Sequence, residues 1–178
     1  IKGGYFVIGK PDNIIVICEG YATGASIHEA TGYCVVIAFN AGNLKPVAES
    51  IRKQFTEYDH PSLKIVIAAD DDQSTEGNPG VTKATEAAQL INAYVAIPEF
   101  ANAIKIGTDF NDLYCLENGD AVKQQIEKAL SIEPEPKQAK LPRGFKLKNG
   151  GLYYTDPEDD ESNDVWVSSE LHMAGKTT

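Results

Sequence analysis

The residues best placed to do chemistry are carboxylates that stand where apolar runs end. Glu19 follows the run 14–18 and precedes Gly20, and the triplet Asp70-Asp71-Asp72 follows the run 64–69. In an extended segment Asp70 and Asp72 point to one side and Asp71 to the other. Two carboxylates about 4 Å apart repel by roughly 4 kcal/mol at an effective dielectric near 20. Such a pair persists where a cation lies between its members or a proton is shared. The donors are all oxygen, with no cluster of His or Cys, which favours Mg²⁺ or Mn²⁺ over zinc. Glu19 alone is a weak signal. It gains meaning if its strand opens to the same edge of the sheet as the aspartate strand, because three carboxylates so placed suit one or two hydrated cations of the kind phosphoryl chemistry uses. Asp71 and Lys83 are second-tier candidates, Asp71 as part of the triplet and Lys83 as a phosphate contact.

These groups need a scaffold that brings distant segments together. Four nearly all-apolar runs, at 14–18, 34–39, 64–69 and 93–97, have the texture of parallel strands buried on both faces. Helical patterns fall between and after them, at 22–30, 46–58, 79–92 and 120–130, with Asn43 and Pro46 marking the start of the second. Residues 5–8 add a short edge strand. The order predicts a three-layer α/β sandwich around a central parallel sheet of about four strands. In such a sheet ligands bind beyond the carboxyl ends of the strands. Glu19, the segments 40–43 and 70–73 and, after a loop, 107–112 stand there.

The stretch Ile17-Cys18-Glu19-Gly20-Tyr21-Ala22-Thr23, with Ala69-Asp70-Asp71-Asp72 about fifty residues on, resembles the Toprim signature. That domain is shared by bacterial primases, type IA and type II topoisomerases and some nucleases. The likeness covers 12–131. It is closest to the Toprim modules of phage and plasmid primases, often fused to a helicase. There, segments similar to 19–24, 38–44 and 109–113 recur together. The resemblance implies a Rossmann-like Toprim fold and Mg²⁺-dependent nucleotidyl transfer in primer synthesis for DNA replication. It implies Asp70 and Asp72 as Mg²⁺ ligands and Glu19 in the acid–base step or as a further ligand. Asp109 and Asp112 follow as a further ligand or a loop anchor. The implied partners are a single-stranded DNA template, nucleoside triphosphates and the helicase portion of the same polypeptide. Three rivals stay open: a phosphatase or phosphotransferase with an aspartate nucleophile, suggested by Asp70-x-Asp72-x-Ser74; a Toprim nuclease or topoisomerase module; and a non-catalytic scaffold for replication partners.

The remaining features bound these readings. The 178 residues carry 16 basic and 26 acidic side chains, a net charge of −10 that repels phosphate backbones. Any grip on nucleic acid must come from metal ions or from further parts of the polypeptide. No apolar run approaches the ~18 residues of a membrane span. Cys18, Cys34 and Cys115 form no CxxC pair, which fits a reducing, cytoplasmic setting better than a disulfide framework or a zinc site. The first residues do not read as a signal peptide, and the chain is expected to be a piece of a longer one. Residues 1–11 are expected to end a preceding region, 12–131 to form the Toprim domain and 132–143 to be a proline-stiffened linker. Residues 144–178, with two aromatic-rich strand candidates around an acidic stretch, are expected to be the poorly ordered start of a following domain. The P-loop-like 174–178 lacks its first glycine, since Glu170 stands there. His28, His60 and His172 are isolated and read as structural or surface residues.

Overall fold

The computed structural model describes residues 2–56, 59–101, 107–132, 134, 143–148, 151–156 and 164–168. It divides into two compact units, Ile1–Lys137 and Gln138–Thr178.

The first unit is an α/β fold. A short strand β1 (Phe6–Ile8) precedes β2 (Ile14–Cys18), α1 (Tyr21–Thr31), β3 (Cys34–Ile37), α2 (Ala41–Gln54), β4 (Lys64–Ala68), α3 (Pro79–Ile91), β5 (Tyr94–Ala96), α4 (Phe110–Leu116) and α5 (Gly119–Leu130). The sheet order is β1-β3-β2-β4-β5, with β1 antiparallel and the other four strands parallel. Alternate residues of the apolar strands enter opposite cores, as the two-residue period of a strand requires. Ile15, Ile17, Val36, Ile65 and Ile67 pack with Leu44, Val47, Ile51, Ala84 and Ala88 of α2 and α3. Val16, Val35, Ile37 and Val66 pack with Ile27, Phe110, Leu113 and Ile126 of α1, α4 and α5. The central strands are therefore buried on both faces, which is why their sequences carry no polar alternation.

Two local departures from the sequence reading matter. The second helix starts at Ala41, not near Pro46, which lies inside it. Asn43 drives the early start. Its buried side chain donates to Ala38 O and Gly4 O and accepts from Gly3 N, locking the first turn against the β3 end and the N-terminal segment. Pro46 withholds only the N–H that Gly42 O would receive, a defect confined to the open end of the helix. β3, read from sequence as running to Phe39, stops at Ile37 because the chain turns sharply at Phe39, whose φ is +70°. Ala38 N and Phe39 N donate to Cys18 O and Glu19 O, so this turn is pinned to the end of β2. Residues 110–116, read from sequence only as part of the segment after the fourth strand, form α4.

The second unit contains β6 (Phe145–Lys148), β7 (Gly151–Tyr154) and β8 (Val165–Ser168), an antiparallel sheet in that order. Phe145 and Tyr154 pack ring to ring at 4.9 Å, and Lys146 pairs with Asp164. The first aromatic-rich strand candidate thus divides into β6 and β7. Of the expected linker 132–143, only Ile132, Pro134 and Arg143 are described. Most of the acidic stretch, Tyr58, His172 and the segment 174–178 lie outside the described residues.

A bulky residue in the left-handed region is strained by about 1–2 kcal/mol, and Phe39 is 60% exposed, so its ring contributes little packing in return. Phe39→Gly is expected to stabilise the fold by about 1 kcal/mol, measured by urea denaturation. A lower denaturation midpoint would show that the ring stabilises the turn.

Candidate metal centre

β2 and β4 lie side by side in parallel, with Ile14 opposite Lys64 and Ile17 opposite Ile67. Continued past the strand ends, this register brings Glu19 level with Ala69 and one step short of Asp70. From this point the chain departs in opposite directions: β2 leads through α1 to β3 on one side, and β4 leads through α3 to β5 on the other. A crevice at such a reversal is where open α/β sheets bind ligands.

The carboxylates converge there. Glu19 is held above its ordinary pKa by burial first and then by Asp72, against a hydrogen bond from the Ala41 backbone that lowers it. Asp70 is pushed up to about 7, mainly by burial, then by the charges of Glu19, Asp109, Asp72 and Asp112. Glu19 Oε1 and Asp70 Oδ1 are buried without a hydrogen-bond partner. Below them the buried Cys18 thiol is driven far above its usual value by burial and then by Asp70, Asp109 and Glu19. It is a packing group in a negative field, not a nucleophile.

The other acidic residues are engaged in holding this arrangement. Asp71 is buried and turned into the loop, where Gln73 Nε2 and Asn78 Nδ2 donate to its two oxygens at 2.8 Å. Its amide donates to Thr108 O at 2.6 Å, tying the aspartate loop to the segment before α4. Asp109 caps α4 by accepting from Asp112 N, and it also accepts from Thr23 Oγ1 of α1 at 2.7 Å. Asp112 accepts from Thr108 N at 2.8 Å, and Ser26 donates to Asn111. Asp109 and Asn111 therefore clamp α4 to α1, Asp112 holds the turn before α4, and the charges of Asp109 and Asp112 add to the negative potential at Asp70. Lys83 lies on the surface of α3 paired with Glu86 at 2.8 Å. His28 bonds Tyr33 O, and His60 packs on Phe55.

A hard divalent cation fits these residues. The donors are oxygens, two of them are buried and unsatisfied, and among the described residues no Lys, Arg or His pairs with Glu19, Asp70 or Asp72. Among the described residues no group of three or more His, Cys, Asp or Glu forms a ready-made cage. Mg²⁺ keeps several waters and binds through one or two carboxylates together with substrate phosphates.

Sequence reasoning overlooked three supports. Thr23 is buried and forms the α1–α4 clamp, Asn78 orients Asp71, and Gly80 lies in the first turn of α3. A side chain at Gly80 would strike the backbone carbonyl of Asp70. The one available signal was a glycine at a helical position, where it costs about 1 kcal/mol relative to alanine.

The comparisons with known proteins agree with this architecture. A family model described as Toprim domain matches residues 14–120. A protein named DNA primase TraC from Escherichia coli is 43% identical over 109 residues, covering 56% of this chain and 10% of that protein. A second Escherichia coli protein of the same name is 43% identical over 111 residues, covering 57% of this chain and 7% of its own length. The chain thus corresponds to no more than about a tenth of the curated relatives it matches.

Two outcomes follow from the crowded carboxylates. Asp70 has an ordinary value of 3.8 and a folded value of about 7, so the folded chain holds a proton that the unfolded chain has lost between those limits. Its contribution to stability is full below about pH 4 and is lost as pH rises through about 7. The metal-free domain should lose melting temperature over that range. Asp70→Asn should flatten the loss and raise Tm at pH 8, and Mg²⁺ should raise the wild-type Tm at pH 8 more than at pH 5. Parallel pH profiles for wild type and Asp70→Asn would contradict the shift. Gly80→Ala should displace Asp70 and weaken Mn²⁺ binding at least tenfold by titration calorimetry. Unaltered Mn²⁺ affinity would mean that the Asp70 backbone does not shape the site.

Proposed function

Because the chain belongs to the Toprim domain family, we propose that it is the metal-binding module of a DNA primase and carries the carboxylates for Mg²⁺-dependent nucleotidyl transfer. The observation behind this reading is the meeting of Glu19 and Asp70, each with a buried unsatisfied oxygen, at the reversal between β2 and β4. The identity to two proteins named as DNA primases supports the primer-synthesis setting.

Asp70 and Asp72 would hold the cation, and Glu19 would either add a ligand or take part in the acid–base step. When bound, Mg²⁺ neutralises the incoming phosphates and lowers the cost of forming an alkoxide. Extending a primer joins a 3′-oxygen to an α-phosphorus, breaks the bond to pyrophosphate and sets one proton free. In the acid–base role Glu19 Oε1 would accept that proton: it is buried without a hydrogen-bond partner, and burial raises its pKa. The Asp109–Thr23 bond keeps α1, and with it the Glu19–Gly20 turn, fixed relative to the aspartate loop. Template and nucleoside triphosphates are met through the metal and through parts of the polypeptide beyond this chain, including a helicase portion. No described helix is long and apolar enough to cross a membrane. The cysteines, free among the described residues, suit a cytoplasmic site of action.

In the full-length protein, Glu19→Gln and Asp70→Asn should each lower primer synthesis at least about a hundredfold, with the circular dichroism spectrum unchanged. Full activity in either variant would remove that residue from the reaction. Metal-dependent cutting of single-stranded DNA without nucleotide incorporation would select the nuclease reading instead. The 178-residue chain alone, with its net charge of −10, should bind Mn²⁺ yet prime poorly. Robust priming by it would show that the acidic surface is no obstacle.

A further inference from the structure

The rim that carries Glu19 also carries three aromatic rings facing solvent. Phe39, Tyr21 and Phe6 are 60%, 58% and 49% exposed. They belong to one edge. Tyr21 opens α1 two residues after Glu19, Phe39 N donates to Glu19 O at 2.8 Å, and Phe6 pairs with Ile37 near the end of β3. The Phe6 and Tyr21 rings lie 5.9 Å apart at a tilt of 48°. Tyr21 and Phe39 thus flank the Glu19 backbone from two sides.

Folding does not account for this edge. The cores on both faces of the sheet are filled by other residues, and the exposed rings leave apolar surface in water. Phe39 additionally sits at φ +70°, in a turn where glycine would be unstrained. Strain held on a bulky, outward-facing residue beside a cation site marks a functional constraint.

The position of the rings relative to the carboxylates suggests what they meet. A cation on Asp70 and Asp72 would draw in a phosphate, and the base of the same or the next nucleotide must then lie within a few ångströms. With a net charge of −10 the chain gives a phosphate backbone little overall attraction, which favours an uncharged contact beyond the metal. Stacking is such a contact, and it tolerates any base. We propose that Tyr21 and Phe39, extended by Phe6, form a stacking shelf for successive bases of a single nucleic-acid strand whose phosphate is held at the carboxylate site; the metal-anchored part of this rests on the function proposed above.

The test uses the present chain with a short oligothymidylate containing one 2-aminopurine, whose fluorescence falls when the base stacks on an aromatic ring. With Mg²⁺ the wild type should quench it. Phe39→Ala and Tyr21→Ala should each weaken binding about tenfold, and Phe39→Trp should retain it. Mn²⁺ affinity by calorimetry should stay within about twofold in all three variants, which separates stacking from damage to the metal site. Phe39→Gly guards against misfolding: it should be more stable than wild type and still lose quenching. Equal quenching by wild type and the alanine or glycine variants, or none by wild type, overturns the shelf. Quenching of a 2-aminopurine nucleoside triphosphate but not of the strand overturns the single-strand assignment. If the wild type binds no Mn²⁺ yet quenches in a Phe39-dependent way, the shelf stands and the metal function fails.

Discussion

Repulsion between carboxylates at the meeting of β2 and β4 is the constraint on which the rest of this molecule turns. Glu19 and Asp70 are brought to adjacent strand ends by a backbone register that the apolar sheet enforces, not by any attraction between them. The sheet supplies the force. Its central strands are buried on both faces, so each residue removed from water adds to the energy that keeps the register. Slippage by one residue would exchange the two cores. A scaffold so firmly set can hold like charges close, and the unsatisfied oxygens that result are a standing demand for a proton or a cation.

Around that centre, the other polar groups keep the demand from dissipating. Asp71 is satisfied by two amide side chains and so remains turned away from its neighbours. Asp109 and Asp112 are absorbed in capping α4 and gripping Thr23. Each acts at a distance on Asp70 through its charge while its own oxygens accept hydrogen bonds. The result is an uneven distribution of satisfaction: Asp71, Asp109 and Asp112 accept hydrogen bonds, whereas Glu19 Oε1, Asp70 Oδ1 and Asn78 Oδ1 are buried without a partner.

Much of this was legible from residue types. The runs at 14–18 and 64–69 read as buried strands, and strands occupy Ile14–Cys18 and Lys64–Ala68. A run that is almost all apolar and rich in β-branched residues has few other ways to be buried. The start of α2 was misplaced because proline is a strong local signal, whereas the buried bonds of Asn43 to Gly3, Gly4 and Ala38 are made with residues distant in sequence or outside the helix. α4 escaped notice because seven residues are too few to show a period. The Toprim resemblance named the acidic residues. It did not distinguish those left unbonded from those used as caps.

Residue chemistry alone determined that acidic groups end buried parallel strands, that their oxygens are of the hard-donor kind, and that a net charge of −10 leaves any grip on phosphate to metal ions or to further parts of the polypeptide. Only the tertiary structure decided which strand ends are neighbours. β3 takes one side of β2 and β4 the other, and that order places Glu19 beside a residue about fifty positions away. It also decided the different fates of Asp70, Asp71, Asp109 and Asp112, and it set Phe39 at a positive φ on the same rim. The physical reason is the range of each signal. Burial and charge are properties a residue carries with it, whereas adjacency and hydrogen-bond satisfaction belong to pairs and exist only once the chain has folded.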